Sequence, residues 1–268
     1  DLFDPADMPG PLFRESDIEQ QRKLARVDFQ SVVRSPDALD ICDPLRPERG
    51  RSADGRVLQA AYCAMIKLID DQVGRIIASL DASGQRDNTV VIFTSDHGEM
   101  LGDHGLIQKG CRFYEGLVRV PLIFSWPGHV AEGERSDALV ELLDKTPTIM
   151  ELAGLEPPQR MQGISLLPML RGEAPLDHHR DYVRCEYYDA LDEPDGSFAT
   201  MYRDERYKLV IYHGHGLGEL YDLEEDPEEF ENMWDEPEAQ PVKLDVMQRS
   251  FDASMLAMDR GSPRVGPM

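Results

Sequence analysis

Apolar residues recur at spacings of three and four through Leu58, Ala61, Met65, Ile69, Val73, Ile76 and Leu80. That period predicts one amphipathic helix from about Arg56 to Leu80, with the kind of stripe that packs on a core. The stretch DASGQRDN that follows reads as a helix stop and turn. TVVIF (Thr89–Phe93) is a β-branched run between turn signals, which predicts a strand buried on both faces. A second apolar run, VPLIFSW (Val120–Trp126), ends at Pro127-Gly128. ALVELLDKTPTIMELAGL is helical in pattern, with Pro147 marking a break or a new first turn and Gly154 suited to the C-cap.

Past Gly172 the texture changes. DYVRCEYYD, SFATMYRD, RYKLVIYH and GELYDL are short, aromatic-rich strand candidates. Asp204-Glu205 and His213–Gly218 fall where hairpin connections belong, and a helix over about Ala239–Ala257 is placed to cover the sheet. The pattern therefore predicts an α/β layer over residues 1–171 and a small antiparallel α+β unit over 172–268. Residues 1–55 are polar and broken by six prolines, and read as an irregular, partly helical surface segment.

Charge narrows the function classes. The 268-residue chain carries a net charge of −23, which argues against general nucleic-acid or anionic-membrane binding. Eleven acidic residues and no basic ones lie between Glu219 and Glu238, a block that reads as a solvated face. No stretch approaches the ~20 apolar residues of a membrane span, and no charged-then-apolar leader opens the chain. The four cysteines, Cys42, Cys63, Cys111 and Cys185, include no C-x-x-C pair, so neither a zinc site nor a disulfide scaffold is expected.

The candidate chemistry lies in FTSDHGEMLGDHGLIQKG, residues 93–110. Asp96 follows a predicted strand, at the edge where open α/β sheets bind ligands. Its carboxylate suits a hard cation such as Ca²⁺ or Mg²⁺, and the imidazole of His97 offers a further ligand. Lys109 supplies a cation suited to a tetrahedral oxyanion. Around the loop Lys109, Arg112 and Arg119 meet Asp103 and Glu115, with Arg112 and Glu115 expected to pair. The pair Asp70-Asp71 reads as a solvated helix face, and His213 and His215 as members of an exposed turn.

The ordered string AYCAMIKLIDDQVGRIIASL, NTVVIFTSDHGEMLGDHG, KG, VRVPLIFSWPG, GISLLPMLRGE and YRDERYKLVIYH…GELYDLEEDPEE resembles the sulfatases of the alkaline phosphatase superfamily over roughly residues 56–235. The resemblance implies part of an alkaline-phosphatase-like α/β/α sandwich followed by the small α+β subdomain. It implies metal-assisted hydrolysis of sulfate esters, with sulfated saccharides as one substrate class. Asp96 and His97 would ligate a divalent metal, Ca²⁺ first and Mg²⁺ or Mn²⁺ next. Lys109 would contact the sulfate oxygens. His104 stands where either a substrate-facing residue or a loop histidine bonded for structure fits.

The family's nucleophile is a formylglycine made in a C/S-x-P-x-R motif at a helix start. CDPLR (Cys42–Arg46) matches the letters, but it lies only 54 residues before Asp96, and Pro47 and Gly50 follow where that helix should run. The match is read as coincidence, and the chain as the C-terminal part of a sulfatase, inactive by itself. A phosphonate or phosphate ester hydrolase of the same superfamily, and a non-catalytic accessory protein that keeps the fold, are the alternatives.

Overall fold

The computed structural model describes residues 2–25, 27, 39–41, 51–190 and 196–258. Helix α1 spans Glu15–Lys23, and two short strands, β1 (Leu39–Ile41) and β2 (Arg51–Ala53), pair antiparallel. Cys42–Arg46 lies outside the described residues.

Helix α2 runs from Gly55 to Ala82, two residues from the predicted end on its C-terminal side. Asp54 caps it by accepting the Arg56 amide at 2.8 Å. Gly84, at φ +67°, turns the chain away at the other end. The apolar stripe is where the structure departs from expectation. Met65, Ile69 and Ile76 are 55, 52 and 58 % exposed, so no described residue covers the middle of the helix. The principal neighbours of α2 sit at its ends, in the 3-10 turns Pro5–Asp7 and Arg86–Asn88. Asp70 and Asp71 are exposed and both pair with Lys67 on the helix surface, the solvated face the sequence suggested.

Strand β3 (Val91–Thr94) is followed by the site loop, the one-turn helix α3 (Glu115–Val118) and strand β4 (Leu122–Ser125). β3 pairs antiparallel with β4, Val91 opposite Ser125 and Thr94 opposite Leu122. The expected burial on both faces is not found among the described residues: Phe93 and its partner Ile123 are 36 and 56 % exposed.

The predicted 138–155 helix begins late, as a 3-10 turn at Leu142–Asp144 leading into α4 (Lys145–Leu152), with Pro147 in the first turn. The reason is Asp144. Its carboxylate is fully buried and accepts the backbone amides of Glu141 (2.9 Å) and Ile164 (2.7 Å), besides meeting Arg180 and His179. Burial pushes this carboxyl up, but the contact with His179, the two amides and the Arg180 charge outweigh it and hold it below its ordinary 3.8. A depressed carboxyl stabilises the fold above the unfolded value and loses that contribution as pH falls through the folded one. Asp144→Asn is therefore expected to flatten the fall of Tm as pH drops below the ordinary 3.8. A Tm profile parallel to that of the unmodified chain would contradict this.

After α5 (Leu167–Leu170) come four strands, β5 (Val183–Tyr188), β6 (Phe198–Arg203), β7 (Tyr207–Tyr212) and β8 (Leu217–Asp222), in one antiparallel meander. Asp204 builds the β6–β7 turn by accepting the amides of Arg206 and Tyr207 at 2.9 and 2.7 Å. Helix α6 (Gln240–Leu256) covers one face, where Tyr202, Leu209 and Leu220 meet Val246 and Ala253. The opposite face packs Ala199, Met201, Val210 and Tyr212 on Leu24, Cys111 and Phe113. The sheet is thus a middle layer between α6 and the chain around the site loop, and its apolar clusters cross residue 172.

Burial on both faces changes the reading of the acidic block. Glu219 and Glu229 are 1 and 3 % exposed, not solvated. Glu219 accepts the hydroxyls of Tyr212 (2.6 Å), Tyr221 (2.9 Å) and Tyr114 (3.2 Å), three phenols in place of water. Arg112 also departs from expectation. It is fully buried, donates to the Leu24 carbonyl at 3.1 Å, and leaves Glu115 to Lys208 and Arg203.

Candidate active site

The two Asp-His-Gly triplets have opposite fates. Asp96 and His97 stand at the end of β3 facing solvent, their side chains 85 and 38 % exposed. Asp103 and His104 turn inward. The His104 ring is 3 % exposed, lies 3.1 Å from Asp17 Oδ1, and stacks on Tyr114 at 4.0 Å. Its amide donates to the Leu12 carbonyl at 2.7 Å, and Asp103 accepts the Leu12 amide at 2.8 Å. The second triplet therefore anchors the loop to α1 and the N-terminal segment. That geometry supports the structural role for His104 over the substrate-facing one.

At the first triplet the hydrogen bonds fix the imidazole tautomer. His97 Nδ1 is 2.7 Å from the Gly98 carbonyl, which can only accept, so Nδ1 carries the proton. Nε2 then presents its lone pair, and Lys109 Nζ donates to it at 2.9 Å. Asp96 Oδ2 lies 3.7 Å from the same nitrogen. Its carboxyl is held below 3.8 by its own amide first, then by the imidazole and amide of His97, so it is ionised at neutral pH. A carboxylate oxygen and an ammonium group thus both lie against one imidazole nitrogen. A divalent cation fits that donor set, an ionised carboxylate and an imidazole oriented through its far nitrogen. It fits as part of a coordination shell, since no cluster of three or more His, Cys, Asp or Glu occurs among the described residues.

Two features that hold this geometry carried no signal in the sequence. Glu99 accepts the amides of Gln108 and, at 3.5 Å, Leu101, so one carboxylate straps both ends of the turn that returns Lys109 to His97. The backbone of α3 holds the near side: Gly98 and Glu99 donate to the carbonyls of Leu117 (2.7 Å) and Gly116 (3.2 Å). A Cβ on Gly98 would overlap the Gly116 carbonyl oxygen, a backbone atom with nowhere to move. Gly98→Ala is expected to cost about 1–3 kcal/mol and to displace His97 from Lys109. Denaturant unfolding measures the first and the His97 ring NMR shifts the second; an unchanged midpoint would show that the approach is looser than drawn.

A family model described as sulfatase matches residues 18–155, and a second, described as the C-terminal part of N-sulphoglucosamine sulphohydrolase, matches residues 102–254. The chain belongs to the sulfatase family. Among its relatives, this sulfatase is 37 % identical over 218 residues to a multifunctional alkaline phosphatase superfamily protein of Trinickia caryophylli, covering 76 % of this chain and 42 % of that one. It is 34 % identical over 192 residues to an N-acetylglucosamine-6-O-sulfatase of Bacteroides thetaiotaomicron, covering 70 and 34 %. Among solved structures, the phosphonate monoester hydrolase of Silicibacter pomeroyi superposes with a TM-score of 0.79 at 28 % identity, over 97 % of this chain and 52 % of that one. A structure in complex with its substrate D-glucosamine-2-N,6-O-disulfate superposes at 0.67 and 29 % identity, over 74 and 40 %. The fold is therefore that of sulfatases and phosphonate hydrolases, and the chain spans less than half the length of those two curated relatives.

Proposed function

We propose that this chain is the C-terminal part of a sulfuric ester hydrolase acting on sulfated saccharides, with Asp96 and His97 as ligands of a divalent cation, Ca²⁺ first, and Lys109 as the group that contacts the sulfate. The observation that carries the proposal is the convergence of Asp96, His97 Nε2 and Lys109 Nζ at the open end of β3. Both relatives and neighbours named for sulfated sugars support the substrate class.

Each residue has a task that its setting permits. Asp96 offers carboxylate oxygens from an exposed position. His97 is aimed by the Gly98 carbonyl, so its free nitrogen faces the same point. Lys109, on a strapped turn, can donate to a sulfate oxygen and neutralise charge on the departing alcohol oxygen. A divalent cation held there supplies Lewis-acid polarisation of the sulfate. The nucleophile belongs, in this reading, to the part of the fold outside this chain, so the chain alone is expected to be inactive.

Turnover of an aryl sulfate by the 268-residue chain tests this; robust activity would refute the fragment reading. A second reading, a phosphonate ester hydrolase, is favoured by the superposition on two phosphonate monoester hydrolases over 97 and 96 % of the chain. Comparing aryl sulfate with aryl phosphonate turnover in the complete catalytic domain separates the two.

A further inference from the structure

Five residues other than glycine take a left-handed backbone among the described residues, and three of them, Leu101, His104 and Gln108, stand between His97 and Lys109. That conformation strains any residue that carries a side chain. His104 is held by its own contacts with Asp17, Tyr114 and the Leu12 carbonyl. Leu101, at φ 51°, and Gln108, at φ 64°, have another restraint in common. Both donate their amides to one atom, Oε1 of Glu99. The carboxylate thus stabilises the left-handed conformation at both points. Gln108 has one further tie, from its carbonyl to the Met100 amide, and at 3.4 Å that bond is long.

Gln108 is the residue before Lys109, so its dihedrals set where the lysine side chain leaves the loop. We infer that Glu99 is a positioning residue for the proposed reaction: by holding Gln108 left-handed it keeps Lys109 Nζ against His97 Nε2, where the sulfate oxygen is to be met. The inference rests on the reading of Lys109 as the sulfate contact. Glu99 works as a hydrogen-bond acceptor, not through its charge. Its Oε1 is turned into the loop and occupied by two amides, and no group of three His, Cys, Asp or Glu able to hold an ion occurs among the described residues. Without that acceptor, Gln108 relaxes toward the right-handed or extended backbone that a glutamine prefers. The lysine then leaves the imidazole, and a misplacement of about 1 Å is enough to cost on the order of 10²-fold in rate.

The placement is tested first in the metal-free 268-residue chain, at one pH, by the NMR shift of the His97 Nε2 nitrogen, which reports the Lys109 contact. Glu99→Ala should move that shift to its value in Lys109→Ala. Glu99→Gln, which keeps an acceptor oxygen, should hold it near the native value. Gln108→Val should break the contact with Glu99 intact, because a β-branched residue is the poorest fit to positive φ, and it carries the test if Glu99→Ala does not fold. Gln108→Gly, unstrained at that φ, should leave the contact unchanged. A native shift in Glu99→Ala or in Gln108→Val, or a Glu99→Gln as disruptive as Glu99→Ala, would overturn the inference. In the complete catalytic domain, Glu99→Ala should lower kcat on an aryl sulfate by about 10–10²-fold and add little on top of Lys109→Ala. Additive losses would mean that Glu99 acts other than through Lys109, and would also overturn it. A displaced Lys109 with kcat unaltered would instead count against Lys109 as the sulfate contact and leave the strap standing.

Discussion

Lys208→Met is expected to destabilise the chain by about 3–5 kcal/mol, because it strands the buried Glu229 carboxylate and leaves Glu115 to Arg203 alone. Lys208 is fully buried on β7 and donates to Glu229 at 2.6 Å and Glu115 at 2.9 Å. Burial already pushes the Glu229 carboxyl up, against the opposing pull of Lys208, whereas Lys208 and Arg203 outweigh burial at Glu115 and hold it down. Without the lysine, Glu229 must take a proton or sit charged without a partner. A carboxyl raised in the folded state binds more protons there than when unfolded, so the loss grows as pH rises above the ordinary 4.5 and shrinks below it. Lys208→Met/Glu229→Gln should recover part of the loss. A deficit under ~1 kcal/mol at pH 7, against the 3–5 expected for a broken buried pair, or one that ignores pH, would mean the cluster is better solvated than the structure shows.

The same cluster joins the sheet to the site. Glu115 opens α3, and its amide donates to Glu229 at 2.7 Å. The next two residues give their carbonyls to Glu99 and Gly98. One turn of helix therefore clamps the Asp96–Lys109 loop on one side and the C-terminal sheet on the other. The meander and its long acidic block are in this sense the foundation of the site.

How much of this was legible follows the range of the signal. The extent of α2 and the four strands of the meander were written in local periodicity, which needs no knowledge of neighbours. The sequence singled out Asp96, His97 and Lys109 because loop glycines and a strand end confine them, and the structure places Asp96 Oδ2 and Lys109 Nζ 3.7 and 2.9 Å from His97 Nε2. Charge counting failed at Glu219, Glu229 and Arg112, since burial there depends on three tyrosines, a lysine and a distant carbonyl that sequence distance hides. The fate of His104 was undecided for a similar reason: Asp17, its partner, is 87 residues away. The periodicity of α2 gave its extent, but the expected packing of its stripe is not found among the described residues, because an apolar stripe names no covering surface.

Lys109→Ala, introduced into the complete catalytic domain, is expected to lower kcat on an aryl sulfate by about 10²–10³-fold, the usual loss for one donor aimed at developing charge. Nothing in the fold depends on the ammonium, which is exposed and bonded only through the His97 ring among the contacts described. The unfolding midpoint should therefore stay put while turnover falls. If Lys109 contacts sulfate oxygens equally in the bound ester and at the top of the barrier, KM rises instead and kcat holds, so the split between the two parameters locates the interaction. Lys109→Arg should rescue little, because a planar fork cannot replace a compact ammonium at 2.9 Å from an imidazole nitrogen. Asp96→Asn, by contrast, leaves the ammonium in place and removes a full charge from the proposed cation site, so its deficit should shrink as divalent metal is added, where that of Lys109→Ala should not. Equal rescue of both by metal would show that Lys109 acts by holding His97 for the ion and not by touching the ester.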